Sequence, residues 1–269
     1  MVYCFDSHTH LNQELLFQDR KEHLLQFIQH WGKGLVNAGA NWWYNERGIL
    51  IAEEAKSFFP ECRVKTAIGF HPCDVKEIGL PLQEAFEKLK NQILTHRKHI
   101  VAIGECGIDL HFDLEGETLD LQKEVFQAQC KLTRELNLPI VIHSRDAFDQ
   151  TFDILQHYSD LVVYFHCWGY GIDELQRLIN KFPRLFVWFC GNISYPKAEN
   201  LRESIRLLPQ NQLLIETDAP YLSPQEVRGQ INTPKNIVKT GQFIAKILHL
   251  EEKQLWQQVE ENFWDLYRR

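Results

Sequence analysis

The sequence predicts an α/β protein that forms a single (β/α)8 barrel of the TIM type, with extra helices at its C-terminal end. Eight short apolar runs alternate with segments of helical periodicity along the chain. The apolar runs contain few polar residues, which is typical of strands that helices cover on the outside of a sheet. The length of 269 residues also matches the ~250 residues of a typical barrel of this kind.

The eight predicted strands are rich in β-branched and aromatic residues, which favour extended backbone. The run LVVYF at 161–165, for example, is apolar without interruption. The predicted strands cover residues 2–8, 34–39, 63–70, 99–105, 138–143, 161–166, 184–190 and 212–218.

The predicted helices carry apolar residues three or four positions apart, so that each helix has one apolar face. In 81–97 this face consists of Leu82, Ala85, Phe86, Leu89 and Ile93. In 251–267 it consists of Leu255, Val259, Phe263 and Leu266. The predicted helices cover residues 81–97, 118–136, 146–158, 171–182, 197–208, 235–249 and 251–267.

Strict alternation of strands and helices implies that the strands are parallel, and eight such units suggest closure into a barrel. An open, doubly wound sheet is the alternative, but no GxGxxG motif follows the first strand to support a dinucleotide site. The sequence contains no linker-like or repeated segment. We therefore expect residues 1–269 to form one domain.

Composition excludes several classes of protein. With 44% hydrophobic and 24% charged residues, the chain is not disordered. A net charge of −7 argues against a protein that coats nucleic acid electrostatically, although an enzyme that binds a few phosphates is compatible with it. Seven cysteines form no CxxC pair, and no apolar run approaches the ~20 residues of a membrane span. We expect a cytoplasmic protein with reduced thiols and no membrane contact.

Ligand-type side chains stand at the ends of five predicted strands. They are His8, His10, Glu105, His143, His166 and Asp218. Side chains alternate along a strand, so these residues share a face with the apolar residues two positions before them. The carboxyl ends of barrel strands meet at one mouth, so we expect the six to converge there. Four imidazoles and two carboxylates suit Zn²⁺, Mn²⁺ or a similar ion and are enough for two ions.

Seven motifs together resemble the TatD-type metal-dependent deoxyribonucleases of the amidohydrolase superfamily. They span residues 5–234 and occur in the family's order. The motifs are FDSHTHLN (5–12), GFHP (69–72), GECGID (104–109), LPIVIHSRDA (138–147), FHCWG (165–169), LLIETDAPYLSP (213–224) and RGQINTP (228–234). The chain departs from the family pattern after His166, where Trp168-Gly169-Tyr170 replaces Phe-Ser-Gly, and around Asn192–Tyr195.

The resemblance implies two divalent ions, of zinc, magnesium or manganese, held by the six residues of the strand ends. His8, His10 and Asp218 would bind one ion. The two remaining histidines would bind the other, and Glu105 would bridge the pair. Related barrels of the superfamily commonly use a carboxylated lysine in this bridging position, which is a glutamate here.

The same resemblance implies roles in catalysis and substrate binding. Asp218, as a ligand, could also accept a proton from the attacking water, and Glu105 would be the second catalytic residue. His71 and Arg145 match positions that line the substrate pocket, and Arg228 lies in the motif after strand eight. These three side chains would donate to the oxygens of a phosphate.

Several of these residues have other interpretations. Arg145 could instead form an ion pair with Asp146, Asp149 or Glu216. Glu216 shares the ligand face of strand eight and could orient a histidine rather than bind metal.

The sequence also raises expectations about cysteines and aromatic residues. Cys106 and Cys167 adjoin ligands but are expected to point towards the helix layer as inert thiols. Trp42-Trp43-Tyr44 could stack on a base, although packing in the core is the stronger expectation. Trp168 and Tyr170 are the better candidates for stacking.

Three functions fit these observations. The first is a metal-dependent phosphodiesterase that acts on DNA, either single-stranded or with an accessible end. The second is a metal-dependent hydrolase of amide or ester bonds in a small or nucleotide-linked substrate, because the same chemistry attacks carbonyls. The third is a non-catalytic binding protein. The sequence indicates no obligatory protein partner. Cations clustered at the mouth would favour the first, and the candidates are Arg145, Lys197, Arg228, Lys235 and Lys239.

Overall fold

The computed structural model describes residues 2–113 and 115–267, and its centre is one sheet of eight parallel strands. The strands are β1 (Cys4–Thr9), β2 (Gly32–Ala38), β3 (Arg63–Ile68), β4 (Ile100–Asp109), β5 (Ile140–Arg145), β6 (Val163–Phe165), β7 (Leu185–Phe189) and β8 (Leu213–Ile215). Each strand pairs in parallel with the next along the chain. The predicted eight-stranded α/β fold is confirmed.

The barrel closes between its first and last strands through backbone hydrogen bonds at the carboxyl ends. The N–H of Asp218 donates to the carbonyl of His8 at 3.0 Å, and the N–H of His10 donates to the carbonyl of Ala219 at 2.7 Å. Lower down, the buried Asp6 carboxylate accepts the backbone N–H of Thr217 at 2.9 Å. Closure therefore places the end of β1 directly beside the end of β8.

Ten α-helices lie around the described barrel. They are α1 (Glu14–Phe17), α2 (Arg20–Gln29), α3 (Trp42–Phe58), α4 (Leu82–Thr95), α5 (Leu119–Leu136), α6 (Phe148–Leu155), α7 (Ile172–Lys181), α8 (Glu199–Leu207), α9 (Ile237–Leu248) and α10 (Glu252–Tyr267). All seven predicted helices are present, including the extra pair after β8. Among the residues that the structure describes, none of the helices is long and apolar enough to cross a membrane.

The helices α1, α2 and α3 were not predicted, and α1 is a single turn of four residues. The α2 sequence is mostly polar and buries only Leu24 and Phe27, so its apolar stripe is short. The helix α3 begins with three aromatic residues, which are weak helix formers. Its start is fixed instead by Asn41, whose side chain accepts the backbone N–H of Tyr44 at 3.1 Å.

Aromatic side chains fill the barrel interior beneath the mouth. Trp188 stacks on Tyr164 with ring centroids 4.3 Å apart, and both are fully buried. The ring of Trp188 also meets the ring of His8 edge-on, with centroids 5.5 Å apart. The hydroxyl of Tyr267, from α10, donates to that of Tyr164 at 3.1 Å. This packed interior leaves the mouth as the place where side chains of β1 and β8 can meet a substrate.

Candidate metal centre

The structure brings all six predicted ligands together at the carboxyl ends of the strands. His8 and Glu105 lie within β1 and β4, and His143 lies within β5. His10 and His166 directly follow β1 and β6, and Asp218 lies three residues after the end of β8. Their ligand atoms form overlapping groups in which every atom lies within 4.8 Å of the others. The convergence that strand alternation predicts is therefore observed, while the assignment of these residues as ligands stays a prediction.

The first group consists of His8, His10 and Asp218. The Nε2 atoms of the two histidines are 3.1 Å apart. Oδ1 of Asp218 lies 3.2 Å from Nε2 of His10 and 3.7 Å from Nε2 of His8. Two nitrogens that bind one zinc ion at 2.0–2.1 Å stand roughly 3.0–3.4 Å apart. Oδ1 is also buried and accepts no hydrogen bond from the described residues. An unpartnered buried oxygen facing two imidazole nitrogens fits a divalent cation.

Glu105 lies between this group and a second one. Its Oε2 is 3.4 Å from Nε2 of His8 and 3.5 Å from Nε2 of His10. Its Oε1 is 2.7 Å from Nε2 of His166 and 2.9 Å from Nδ1 of His143. Each carboxylate oxygen therefore faces a different pair of histidines. This is the arrangement that a bridging carboxylate requires.

The protonation states of His8, Glu105 and Asp218 suit metal binding. Burial and the neighbouring imidazole of His166 lower the pKa of His8 to about 4, so that its ring is neutral at neutral pH. Burial opposes ionisation of Glu105, but facing histidines outweigh it and hold the pKa of that carboxyl well below its usual range. The pKa of Asp218 is likewise lowered, because the facing imidazoles of His10, His166 and His8 outweigh its burial. Neutral imidazoles and ionised carboxylates are the forms that bind metal ions.

His71 reaches the same centre from the turn after β3. Its Nδ1 accepts the backbone N–H of Cys73 at 3.1 Å, while its Nε2 lies 3.5 Å from Oε1 of Glu105. Burial and the imidazole of His143 lower the pKa of His71, so the ring is neutral. Because Nδ1 is an acceptor, the ring proton resides on Nε2. This tautomer points an N–H donor at the centre, which favours the predicted contact with substrate over metal ligation.

Asp109 is a site residue that the sequence reasoning missed. Its Oδ2 lies 2.8 Å from Nε2 of His143. A proton on Nε2 leaves the Nδ1 lone pair free to face the centre. The strand β4 was predicted to end at Glu105 but continues to Asp109. Residues 105, 107 and 109 alternate onto one face, and that spacing within GECGID could have identified the aspartate.

We expect Asp109→Asn to weaken metal binding about 10–100-fold, the usual effect of removing a partner that orients a ligand. Asp113→Asn is the matched control, since the Asp113 carboxylate also accepts hydrogen bonds within this loop, from the backbone and hydroxyl of Thr118 rather than from a candidate ligand. Titration against a chromogenic chelator measures both affinities. Wild-type affinity in the Asp109 variant would show that the hydrogen bond to His143 is not needed for binding.

Glu216 stands behind His166 rather than among the six. It is completely buried, and its Oε1 accepts the backbone N–H of Cys167 at 2.7 Å and lies 3.6 Å from Nδ1 of His166. This position is the one expected of a Glu216 that orients a histidine rather than binding a metal ion of the candidate centre.

Arg145 forms none of the ion pairs considered as alternatives. Asp146 contacts His111 and Asp149 contacts Arg177. In the described part of the chain, the Arg145 guanidinium instead lies 5.1 Å from the centre of the exposed Phe112 ring. Arg228 similarly lies 4.2 Å from the centre of the Tyr195 ring. Of the other candidate rim cations, Lys235 contacts Gln26 and Lys239 pairs with Glu226.

The expectation that Trp168 stacks on substrate is wrong. The side chain is 1% exposed and packs edge-on against Phe165 and Tyr170. The Tyr170 hydroxyl is occupied by Ser144 at 2.8 Å. The exposed aromatic residue at the centre is Tyr221, which the sequence reasoning missed. Its ring centroid lies 5.9 Å from that of His10.

The two cysteines that adjoin ligands differ from each other. Cys106 is buried, and its thiol donates to the carbonyl of Val141 at 3.3 Å, as expected for an inert thiol. Cys167 does not follow that expectation, because its backbone is in the left-handed region with φ 46°. This turn brings its Sγ to 3.5 Å from Sγ of Cys190.

At the start of α3, Trp42 packs in the core as expected, and its indole N–H donates to the carbonyl of Ile78.

An eight-stranded parallel barrel with histidines and carboxylates gathered at the carboxyl ends of its strands is an architecture of metal-dependent hydrolases. Residues 5–268 match the family model described as TatD related DNase, and the chain belongs to this family. It is therefore a metal-dependent hydrolase of the TatD family.

Relatives of this chain carry names of the same kind. The uncharacterized metal-dependent hydrolase YabD of Bacillus subtilis is 32% identical over 266 residues, which is 98% of each chain. The 3'-5' ssDNA/RNA exonuclease TatD of Salmonella typhimurium is 28% identical over 94% of this chain and 91% of its own. The crystal structure of YJJV, a TatD homologue from Escherichia coli K12, superposes with a TM-score of 0.89 at 22% identity, over 99% of this chain and 98% of its own.

Proposed function

We propose that residues 1–269 form one hydrolase domain that cleaves phosphodiester bonds in DNA, at single-stranded or accessible ends, with two divalent ions. The ions are zinc, magnesium or manganese, held by the six residues of the candidate centre. The observation that carries this proposal is the position of Glu105, whose two oxygens face two separate pairs of histidines. A centre for one ion would not need a carboxylate in that position.

The chain's own residues divide the chemistry between them. Divalent ions held there would polarise the phosphodiester and lower the pKa of an attacking water. The Asp218 carboxylate is ionised and faces the proposed ions, so besides binding one of them it can accept the proton of that water. The Nε2–H of His71 points into the same space and can donate to a substrate oxygen.

Side chains at the mouth support a nucleic-acid substrate. Arg145 and Arg228 are exposed, and within the described residues neither pairs with a carboxylate. Both guanidinium groups are therefore available to phosphates. Tyr221 is 49% exposed beside His10, where its ring could stack on a base. The exonuclease name of the Salmonella relative is consistent with this substrate class.

The test of the proposed function combines metal analysis with a substrate panel. The metal-loaded protein is assayed on end-labelled single-stranded DNA, on blunt duplex DNA and on a set of carboxylic esters and amides. We expect shortening of the single strand, slower action on the duplex and no turnover of the carbonyl substrates. Intact DNA together with turnover of an ester or amide would overturn the proposal in favour of the alternative hydrolase.

Removing either exposed arginine should weaken substrate binding without altering the chemistry. For Arg145→Ala and Arg228→Ala we expect KM on single-stranded DNA to rise about five-fold, equivalent to about 1 kcal/mol for an exposed charge contact. The salt dependence of KM should also become shallower. The control is Arg206→Ala, because Arg206 lies in the last turn of α8 and pairs with Glu199 rather than with a residue of the candidate centre. An unchanged KM in both variants would remove these residues from the proposed site.

We also propose a cytoplasmic location. All seven cysteines are free, including the pair formed by Cys167 and Cys190 with sulfurs 3.5 Å apart. Neighbouring thiols that stay unlinked are typical of a reducing compartment.

A further inference from the structure

Beside the candidate metal centre lies a second group of ligand-type side chains with a different chemistry. It consists of Cys167, Cys190 and Glu216, which follow the ends of β6, β7 and β8. The two Sγ atoms are 3.5 Å apart. One carboxylate oxygen of Glu216 and both sulfurs lie within 4.8 Å of one another. We call this group the thiol cluster.

The carboxylate of the thiol cluster has an unused buried oxygen. Glu216 is 0% exposed, and its Oε1 accepts the backbone N–H of Cys167. Its Oε2 is buried without a hydrogen-bond partner among the described residues. A buried carboxylate oxygen without a donor costs free energy, so its presence indicates a cation or donor that the protein itself does not supply.

We propose that the thiol cluster binds one borderline or soft divalent cation, such as Zn²⁺ or Cd²⁺, through Cys167, Cys190 and Glu216. Thiolates select such ions over Mg²⁺ and Mn²⁺, which prefer oxygen ligands. Two thiolates on one zinc ion at ~2.3 Å stand roughly 3.8 Å apart in tetrahedral geometry. The observed separation of 3.5 Å needs only a small adjustment. Each thiol that binds releases its proton to water, so two protons leave as one cation enters.

Neighbouring residues complete the surroundings of this site. The thiol of Cys190 donates to Oδ1 of Asn192 at 3.2 Å, which places a further oxygen ligand beside the sulfur. Cys190 is fully buried, whereas Cys167 is partly exposed and gives an ion access from outside. The proposal concerns residues outside the six of the candidate metal centre and does not depend on the proposed nuclease function.

Cadmium titration tests the thiol cluster directly. Metal-free protein is kept reduced with a phosphine, Cd²⁺ is added, and the ultraviolet charge-transfer band of cadmium–thiolate bonds is recorded. The six residues of the candidate metal centre contain no sulfur and do not produce this band, and Cys73→Ser is titrated alongside because the exposed Cys73 thiol contacts Asp109. We expect a saturable band in the wild type, and in Cys190→Ser and Cys167→Ser a decrease of at least five-fold. Cys62→Ser, which changes a buried cysteine elsewhere, should keep the full band.

A variant that preserves both thiols gives an independent measurement. In Glu216→Gln we expect the band to remain but to require at least ten-fold more Cd²⁺ to saturate. Thermal unfolding of each variant reports whether it folds. If a serine variant does not fold, Glu216→Gln provides the test instead. A wild type without a band, or Glu216→Gln and Cys190→Ser titrations identical to the wild type, would overturn the proposal. DNA hydrolysis is not part of this readout, so its outcome is separate.

Discussion

Asp218→Asn is expected to lower the rate of DNA hydrolysis about 10²–10⁴-fold, the usual contribution of a residue that accepts a proton in the reaction. The pKa of Asp218 is lowered in spite of its burial, since it faces the imidazoles of His10, His166 and His8. The carboxylate is therefore ionised at neutral pH and loses this state only as the pH falls through its lowered pKa. An asparagine has nearly the same shape but can neither accept the proton nor supply the negative charge.

The fold should survive this substitution, because the closure of the barrel at this point uses the backbone. The N–H of residue 218 donates to the carbonyl of His8, and an asparagine keeps that bond. We expect the thermal midpoint to change little, while single-turnover assays on labelled single-stranded DNA at saturating metal show the loss. Asp173→Asn, an exposed aspartate in the first turn of α7, is the control. Near-normal hydrolysis by the Asp218 variant would contradict its assignment as the proton acceptor.

The convergence of the six candidate ligands could be predicted from the sequence because it needs only two regularities. Parallel strands of one barrel all end at the same mouth, and alternation fixes which side chains face inwards. His8 and His10, two positions apart on β1, illustrate this, since their Nε2 atoms meet at 3.1 Å. Neither regularity requires knowledge of which distant residues touch.

Predictions went wrong where the chain leaves regular geometry. After His166 the backbone enters the left-handed region at Cys167, so that Trp168 turns into the core and the expected alternation fails. In β4, a Cβ on Gly107 would lie 1.9 Å from the carbonyl oxygen of His143. Only a glycine permits this close approach of β4 and β5, which continues the strand to Asp109. Such contacts depend on tertiary packing, which local periodicity does not contain.

Glu105→Gln should have the largest effect on the centre itself. The carboxylate is ionised across the neutral range, because facing histidines hold its pKa well below the usual value. Glutamine removes that charge and turns an N–H₂ group, which donates only, towards either His8 and His10 or His143 and His166. We expect bound metal to fall from the proposed two ions per chain to one or none, and hydrolysis to fall at least about 10³-fold.

The metal content of this variant is measured by elemental analysis after dialysis, without any substrate, so it tests the bridging position whatever bond the protein cleaves. Glu105→Asp keeps the charge but shortens the side chain, so its oxygens cannot reach both pairs of histidines, and we expect it to retain one ion. Glu117→Gln, in an exposed loop, should retain both. If Glu105→Gln bound two ions as tightly as the wild type, Glu105 would not be a bridge. If Glu105→Gln lost metal but the wild type did not hydrolyse DNA, Glu105 would still be assigned as the bridge, and DNA would no longer be the proposed substrate.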